Sequence, residues 1–262
     1  MIQKTLGDFD IAQIANSGQC FRFFEINPKT WRVVAFQKVL DIEKLSENNY
    51  IFYCTEDEFK NTWYNYFDLQ TNYKTIKNFI YETNDTYLIS AIKYGYGIRI
   101  LRQDLWEMVV SYIISQRNSI KRISNTINKI CSYFSGFFPS PVQLSQFSED
   151  DFKKLGLGYR ANYLVEITKS IINHDLDLEK LKLMETTEAI NYLKKFKGIG
   201  EKVANCIALY GLYRMDAFPI DTWIKRIINN EYSGTFDISK IKPYAGIIQQ
   251  YMFFYQRFLE KQ

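Results

Sequence analysis

The hydrophobic pattern of this chain changes once, near Glu56, and that change limits the folds open to it. Before this point, aromatic and β-branched residues are concentrated in short runs, as they are in strands. The runs are CFRFFEI (20–26), TWRVVAFQKVLDIEKL (30–45) and NYIFYCT (49–55), with a turn at Asn27-Pro28-Lys29. After it, apolar residues recur at spacings of three and four, which predicts helices. The pattern therefore predicts an α+β fold, with an N-terminal antiparallel β-sheet region followed by a larger all-α body.

We expect two domains: residues 1–100, the sheet region with flanking helices, and residues 101–262, the helical body. In the second domain, Ser119 is a suitable N-cap for a helix whose apolar stripe begins at Ile120 and Ile123. Further helices are predicted at 148–158, 161–173, 186–195, 201–212, 222–230 and 243–260.

The composition excludes several classes of protein. The four cysteines include no C-x-x-C pair, and His174 is the only histidine, so we expect no zinc site and no iron–sulfur cluster. No run of about 18 apolar residues predicts a membrane span. The first residues lack the apolar core of a secretion signal, and we therefore expect a cytoplasmic protein. The net charge of +4 is compatible with nucleic acid as a partner but does not require it.

The segment FKGIGEKVANCIALYG (196–211) predicts two helices joined by a tight Gly-x-Gly turn within about 186–212. The first amides of a helix lack partners and lie at the positive end of its dipole, where a phosphate binds well. The expected donors are the amides of Gly198, Gly200 and Val203. An ordinary helix–turn–helix corner would show the same turn, so the motif alone leaves both interpretations open.

Lys202 stands in the first turn of the second helix, beside its apolar stripe. The helix dipole and desolvation both disfavour an ammonium there, and a neutral amine is a nucleophile suited to Schiff-base chemistry. Asp221, after Pro219 and before a helical pattern, is predicted to be an N-cap. Helix 201–212 advances roughly 16 Å, and the extended return to Asp221 can cover about 20 Å. The chain can therefore bring Asp221 back beside Lys202; a surface lysine and a purely capping aspartate are the alternatives.

These two residues, together with segments along nearly the whole chain, resemble the helix-hairpin-helix DNA glycosylases, and within them the 8-oxoguanine DNA glycosylase/AP lyases. The segments, in order, are NSGQCFRF (16–23), YFDLQTNY (66–73), GIRILRQD (97–104), SQRNSIKRI (115–123), LGLGYRANYL (155–164), GIGEKVANC (198–206) and PID (219–221).

The resemblance implies a role for each matching residue in the damaged nucleotide's chemistry. Lys202 would attack C1′, expel the base and form a Schiff base that undergoes β-elimination, while Asp221 would stabilise the oxocarbenium character of the sugar. The flipped base would be held by four further positions. Gly18 would accept from its N7–H, Cys206 and Phe253 would sandwich it, and Gln249 would read its Watson–Crick edge.

The resemblance also implies residues that contact the rest of the DNA. Tyr159 matches a wedge tyrosine, and Arg160 and Arg122 match arginines that read the cytosine opposite the lesion. Two positions depart from the family pattern. Arg117 stands where the family usually has the asparagine that fills the vacated stack, with Asn118 beside it as a substitute. Trp223 stands where animal-type members carry a histidine.

The sequence thus predicts a bifunctional glycosylase that excises 8-oxoguanine from duplex DNA and nicks the abasic site. The alternatives are a helix-hairpin-helix glycosylase for another damaged base and a non-catalytic DNA-binding module. Lys202 argues against the alkyl-base class, which uses water in place of an amine.

We expect a monomer associated with the nucleoid of a prokaryotic-type cell, with no membrane contact. No organic cofactor is expected, although the resemblance allows a monovalent cation at the hairpin carbonyls.

Overall fold

A computed structural model describes residues 1–260. The chain forms two compact units. Unit 1 comprises Met1–Val33, Val39–Arg102 and the C-terminal segment from Tyr213, and unit 2 comprises Val34–Lys38 and Gln103–Leu212. The predicted domains, 1–100 and 101–262, do not have the same limits as these units, and the domain division stays a prediction. Residues 261 and 262 of the second predicted domain lie outside the described residues.

The predicted N-terminal antiparallel sheet is confirmed. It has five strands in the order β1-β5-β4-β3-β2. Their bounds are β1 Ile2–Thr5, β2 Phe23–Asn27, β3 Thr30–Ala35, β4 Lys38–Lys44 and β5 Asn49–Phe52. Strand β1 pairs with β5 at the edge, from Ile2 opposite Phe52 to Thr5 opposite Asn49.

The run 30–45, predicted to belong to the strand region, folds into two strands that form the β3–β4 hairpin. The chain turns at Phe36 and Gln37, whose φ angles are +51° and +58°. Positive φ at both central residues is the geometry of a type I′ turn, for which glycine and asparagine are the usual signal. Because neither glycine nor asparagine occupies these two positions, the sequence does not predict the turn. Strand β1 was also not predicted, because its sequence, IQKT, has a single apolar residue and no aromatic residue.

The helical pattern after Glu56 is confirmed. In chain order the α-helices are α1 Ile11–Asn16, α2 Glu56–Glu58, α3 Tyr64–Tyr66, α4 Tyr73–Glu82, α5 Thr86–Tyr94, α6 Leu105–Ile114, α7 Ile120–Ser132, α8 Pro141–Leu144, α9 Glu149–Lys154, α10 Arg160–Ile172, α11 Leu178–Leu183, α12 Thr186–Leu193, α13 Glu201–Tyr210, α14 Thr222–Glu231 and α15 Ala245–Leu259. A π-helical turn, Phe59–Trp63, joins α2 to α3, and a 3₁₀ turn, Ile238–Ile241, precedes α15. Ser119 caps α7 as predicted, since its side chain accepts from the Arg122 amide.

The core of unit 1 is aromatic. Phe67 lies within 6.1 Å of both Phe9 and Phe52, measured between ring centroids, in edge-on arrangements. The last helix, α15, packs along α5, and the rings of Tyr94 and Phe258 stack with centroids 4.2 Å apart. The C-terminal helix is therefore part of the same unit as the N-terminal sheet.

Helix α6 forms the centre of unit 2, and all ten of its residues are buried. Helix α13 packs against it, and the rings of Tyr112 and Tyr210 stack at 5.4 Å. Gly211 ends α13 where a β-carbon would lie 2.9 Å from the Ile207 carbonyl oxygen and 2.9 Å from the Leu105 side chain of α6, so this close approach favours glycine. Val203 lies on the buried stripe of α13. The packing of α13 against α6 therefore fixes the orientation of the first turn of α13. No helix in residues 1–260 has the length and apolarity to cross a bilayer.

Candidate active site

The Gly-x-Gly turn joins α12 to α13, and its two glycines have different roles. Gly198 has a φ of +87°, and a β-carbon there would lie 2.6 Å from the ring of Tyr163. Both the backbone and the ring therefore require glycine. Gly200 has a φ of −91° and is the N-cap of α13, with no side-chain cap. A β-carbon on Gly200 would meet nothing within 4 Å, so this corner of the turn is open.

The hairpin is tied to the loop that follows α6. The Gln116 side-chain amide donates to the carbonyl of Gly198 at 2.9 Å. The same loop carries Arg117, Asn118 and, at the start of α7, Arg122. Unit 2 thus brings the predicted phosphate site and the predicted strand-contacting loop together.

Lys202 is half-buried in the first turn of α13. Its Nζ lies 3.4 Å from the hydroxyl of Ser115 and 5.4 Å from the ring centroid of Tyr112. The adjacent Glu201 is directed away and pairs with Lys194 at 2.5 Å. Within its own unit, no carboxylate lies within ion-pair distance of the Lys202 amine. One turn further on, Cys206 is 3% exposed, on the same buried side of the helix as predicted.

Arg160 supports the backbone of the loop after α6. Its Nε donates to the carbonyl of Gln116 at 2.7 Å, its Nη2 donates to the same carbonyl, and Nη2 also reaches the Arg117 carbonyl at 3.1 Å. Its Nη1 donates to the Leu157 carbonyl at 3.2 Å. The Tyr159 ring is half exposed and lies 4.6 Å from the guanidinium of Arg160. Most of the N–H donors of the Arg160 guanidinium, which is predicted to read a base, therefore bond to backbone carbonyls in this structure.

Arg117 is exposed and has a φ of +46°. Asparagine adopts this left-handed conformation more readily than arginine. The asparagine that the resemblance leads us to expect would therefore suit this backbone, whereas Arg117 places a long cationic side chain at a strained position. The neighbouring Asn118 bonds locally, since its amide donates to the Ile114 carbonyl at 3.3 Å and its oxygen accepts from the Ser119 amide at 3.0 Å.

Asp221 is the N-cap of α14, as predicted. Its Oδ1 accepts from the amides of Trp223 and Ile224, both at 2.9 Å. The carboxylate thus stands at the positive end of the α14 dipole, where negative charge is favoured. It belongs to unit 1 whereas Lys202 belongs to unit 2, and the predicted proximity of the two stays a prediction.

Gly18 lies in a turn whose neighbours are both anchored in unit 1. Its φ is +84°, which favours glycine. On one side, the carbonyl of Ser17 accepts from the Gln250 side chain at 2.9 Å. On the other, the Gln19 side chain donates to the Arg99 carbonyl and accepts from the Leu101 amide, both at 2.8 Å. The backbone around Gly18 is therefore rigidly held.

Helix α15 carries Gln249, which is buried, and Phe253, which is half-buried. The Phe253 ring meets the Trp223 ring edge-on at 6.4 Å and lies 5.3 Å from the Arg257 guanidinium. Trp223 therefore packs in this unit against a predicted base-binding ring.

Sequence reasoning missed Gln250 and Arg257, which join α15 to the Gly18 turn. Arg257 donates to the Asn16 carbonyl at 3.1 Å. Burial lowers the pKa of Arg257, and the nearby Asp221 carboxylate opposes that shift. The four-residue spacing predicts that Phe253 and Arg257 share a helix face. Nothing in the sequence indicates that Arg257 bonds to the backbone near residue 16.

The predicted site residues thus fall into two sets. Unit 2 brings together Lys202, Cys206, the hairpin amides, the loop after α6 and the Tyr159–Arg160 pair, and unit 1 brings together Gly18, Asp221, Gln249 and Phe253. Within residues 1–260 there is no group of three or more histidine, cysteine or acidic side chains that could hold a metal ion.

Known proteins resemble this chain over nearly its whole length. A family model described as "8-oxoguanine DNA glycosylase, N-terminal domain" matches residues 1–109, and one described as "HhH-GPD superfamily base excision DNA repair protein" matches residues 110–242. A probable N-glycosylase/DNA lyase of Methanothermobacter thermautotrophicus is 30% identical, with 87% of this chain and 84% of that protein covered.

Two solved structures have the same fold. The Clostridium acetobutylicum 8-oxoguanine glycosylase/lyase, in complex with double-stranded DNA containing cytosine opposite 8-oxoguanine, is 36% identical, with 97% of this chain and 93% of that chain covered and a TM-score of 0.89. MBOgg1, in complex with a low-affinity DNA ligand, is 33% identical, with 99% and 100% covered and a TM-score of 0.91.

The fold and these matches define a base excision DNA repair protein of the helix-hairpin-helix superfamily. Within that superfamily, the chain belongs to the family of bifunctional 8-oxoguanine DNA glycosylase/lyases. It is thus an enzyme of the DNA N-glycosylase/DNA lyase class, and the resemblance predicted from the sequence is confirmed.

Proposed function

We propose that this enzyme excises 8-oxoguanine from duplex DNA with Lys202 as the nucleophile and then nicks the abasic site. The observation that carries the proposal is the setting of the Lys202 amine. It is half-buried at the start of α13, beside a hairpin turn with no side-chain cap, and no carboxylate of its own unit forms an ion pair with it. A lysine held in this way can deliver its lone pair to a sugar carbon once the hairpin has bound the strand.

The proposed chemistry has two stages. The amine forms a bond to C1′ as the glycosidic bond breaks, so the base leaves with the bonding electrons and takes up a proton. The amine then loses a proton and the sugar ring opens to a Schiff base, in which O4′ becomes a hydroxyl group. Loss of a proton from C2′ expels the 3′ phosphate, which cuts the strand by β-elimination.

Asp221 is proposed to stabilise the positive charge that develops on the sugar during base loss. A fixed carboxylate is effective in this role because it needs no reorganisation as the charge appears. Its cap bonds to the Trp223 and Ile224 amides support this assignment, since they fix the orientation of the carboxylate on α14.

The lesion is proposed to bind at the Gly18 carbonyl, which would accept a hydrogen bond from N7–H of 8-oxoguanine. Guanine has a bare N7 acceptor, so the same carbonyl would repel it, and such a site discriminates well. Cys206 and Phe253 would enclose the flipped base, and Gln249 would bond to its Watson–Crick edge. The anchored turn on both sides of Gly18 supports this role, because a mobile carbonyl would discriminate poorly.

The hairpin amides of Gly198, Gly200 and Val203 are proposed to bind a backbone phosphate of the damaged strand. Tyr159 would fill the gap left by the flipped base, and Arg160 and Arg122 would donate to the opposite cytosine, with Arg117 and Asn118 at the edge of the stack. Arg160 would have to exchange some of its loop bonds for bonds to the base.

The proposed chemistry uses no organic cofactor, because the lysine supplies the nucleophile. A monovalent cation at the hairpin carbonyls would add only to phosphate binding. One copy of the chain supplies every proposed residue, so we propose that it acts as a monomer.

A panel of duplexes tests the proposal. Duplexes that carry 8-oxoguanine or an alkylated or oxidised pyrimidine base, each opposite all four bases, are incubated with the enzyme and assayed for base release and nicking. We expect release and nicking of 8-oxoguanine with wild type and neither with Lys202→Gln. Preference for another lesion would favour a different substrate, and binding without release on every duplex would favour a DNA-binding module.

A further inference from the structure

Unit 1 contains a fully buried carboxylate, Asp68, that the proposed mechanism does not use. Its Oδ2 accepts from the hydroxyls of Tyr213 at 2.5 Å and Tyr73 at 3.0 Å. Its Oδ1 accepts from Nε of Arg102 and from the Thr71 hydroxyl, both at 2.9 Å. A buried charge needs such a complete set of donors, so Asp68 holds these four side chains in fixed positions.

Two of these donors stand where the chain leaves and re-enters unit 1. The chain passes to unit 2 twice. Arg102 is the last residue before the second and longer passage, Gln103–Leu212, and Tyr213 is the first residue after it. The guanidinium carbon of Arg102 lies 3.5 Å from the ring centroid of Tyr213. Asp68 therefore joins the two residues that flank this longer passage to a single point in unit 1.

Tyr213 also begins the segment that ends at Asp221, which we call the return segment (residues 213–221). The segment is anchored at several points outside itself, and the Phe218 ring stacks on the Phe236 ring with centroids 5.8 Å apart. Its first residue is held through the Tyr213 hydroxyl, and the Met215 carbonyl accepts from the Gly246 amide, just inside α15, at 2.7 Å. The covalent path from Lys202 to Asp221 passes through Tyr213.

We propose that Asp68 is a positioning residue for Asp221, acting through the hydroxyl of Tyr213 on the return segment. By fixing where the return segment begins, it limits how far the Asp221 carboxylate can move from the position that stabilises the sugar. This inference rests on the proposed function, because it assumes that Asp221 acts in base excision.

Both phenols act as donors at physiological pH. Burial raises the pKa of Tyr213 to about 12, and its hydrogen bond to Asp68 adds to the shift. Burial likewise raises the pKa of Tyr73. Each hydroxyl therefore keeps its proton and donates to the same Oδ2, which makes the two tyrosines a matched pair: one is on the return segment and one is not.

The test compares Tyr213→Phe with Tyr73→Phe in the full-length enzyme. Each variant removes one hydroxyl bond to Asp68 and keeps the ring, so the fold is retained, and thermal melting checks this. We expect Tyr213→Phe to slow single-turnover excision of 8-oxoguanine about tenfold, because a small misplacement of a catalytic group is costly. Its Kd for the duplex should stay within about twofold of wild type, since the hairpin and its loop are untouched.

Tyr73→Phe should excise at a rate within about twofold of wild type, although its melting temperature falls at least as far. The Tyr73 hydroxyl also accepts from the Ile100 amide at 2.8 Å, whereas the second contact of the Tyr213 hydroxyl, with the Thr71 hydroxyl, is longer at 3.4 Å. Equal rates for the two variants, or rates that follow their melting temperatures, would overturn the positioning role while leaving the proposed function intact. A wild-type enzyme that does not excise 8-oxoguanine would overturn both.

Discussion

At the scale of single residues, Asp221 combines two roles that a substitution can separate. It caps α14 through its Oδ1, and its charge is proposed to stabilise the transition state of base loss. Asparagine and aspartate are equally good N-caps, so a change to asparagine keeps the first role and removes the second.

We therefore expect Asp221→Asn to slow base excision about 100-fold or more, with the free energy of unfolding changed by less than about 0.5 kcal/mol. DNA affinity should be retained. Single-turnover kinetics, chemical denaturation and a binding titration measure the three quantities. Full excision activity in this variant would remove Asp221 from the mechanism.

At the scale of elements, the hairpin is defined by one glycine that the fold requires and one that it does not. Gly198 has a left-handed backbone and the Tyr163 ring against it, whereas Gly200 has ordinary backbone angles and open space. The sequence shows the two as equivalent members of a Gly-x-Gly motif.

Gly198→Ala should lower the free energy of unfolding by about 3 kcal/mol, which combines a left-handed alanine with an overpacked contact. Gly200→Ala is the matched control and should change it by less than about 0.5 kcal/mol. Urea denaturation of both variants measures the difference. Similar losses for both, or a small loss at Gly198, would contradict the assigned role of the Tyr163 contact.

Local patterns predicted most of the elements because their signals lie within one helix or strand. The caps at Ser119 and Asp221 and the stripe of α13 are examples, since each depends on residues a few positions apart. The β3–β4 turn was missed because Phe36 and Gln37 carry no turn signal.

The bonds that hold the candidate site were not predictable, because their partners are far apart in the chain. Gln250 bonds to Ser17 over 233 positions, and Arg160 bonds to Gln116 over 44. No periodicity connects such pairs, so the sequence identified the site residues by type and resemblance but not the residues that fix them.

At the scale of the whole molecule, the modest net charge of +4 means that DNA binding depends on local groups rather than on a large overall field. The proposed contacts are the hairpin amides and the cations of the loop after α6, which together reach a few phosphates. Each neutralised phosphate releases counterions, which makes the affinity depend on salt.

We expect the affinity for an undamaged duplex to fall at least about tenfold between about 50 and 200 mM salt. A fluorescence titration at several salt concentrations gives the slope of the logarithm of the affinity against the logarithm of the salt concentration. An affinity that does not change with salt would contradict phosphate binding at the hairpin.

The most direct test of the central claim is to identify the residue that carries the DNA after borohydride reduction. Wild-type enzyme is trapped on a duplex containing 8-oxoguanine, digested with protease, and the peptide that retains the sugar is sequenced by mass spectrometry. We predict a single modified residue, Lys202, and no trapped product from Lys202→Gln. A sugar attached to the N-terminal amine or to another lysine would contradict the assignment of Lys202 as the nucleophile.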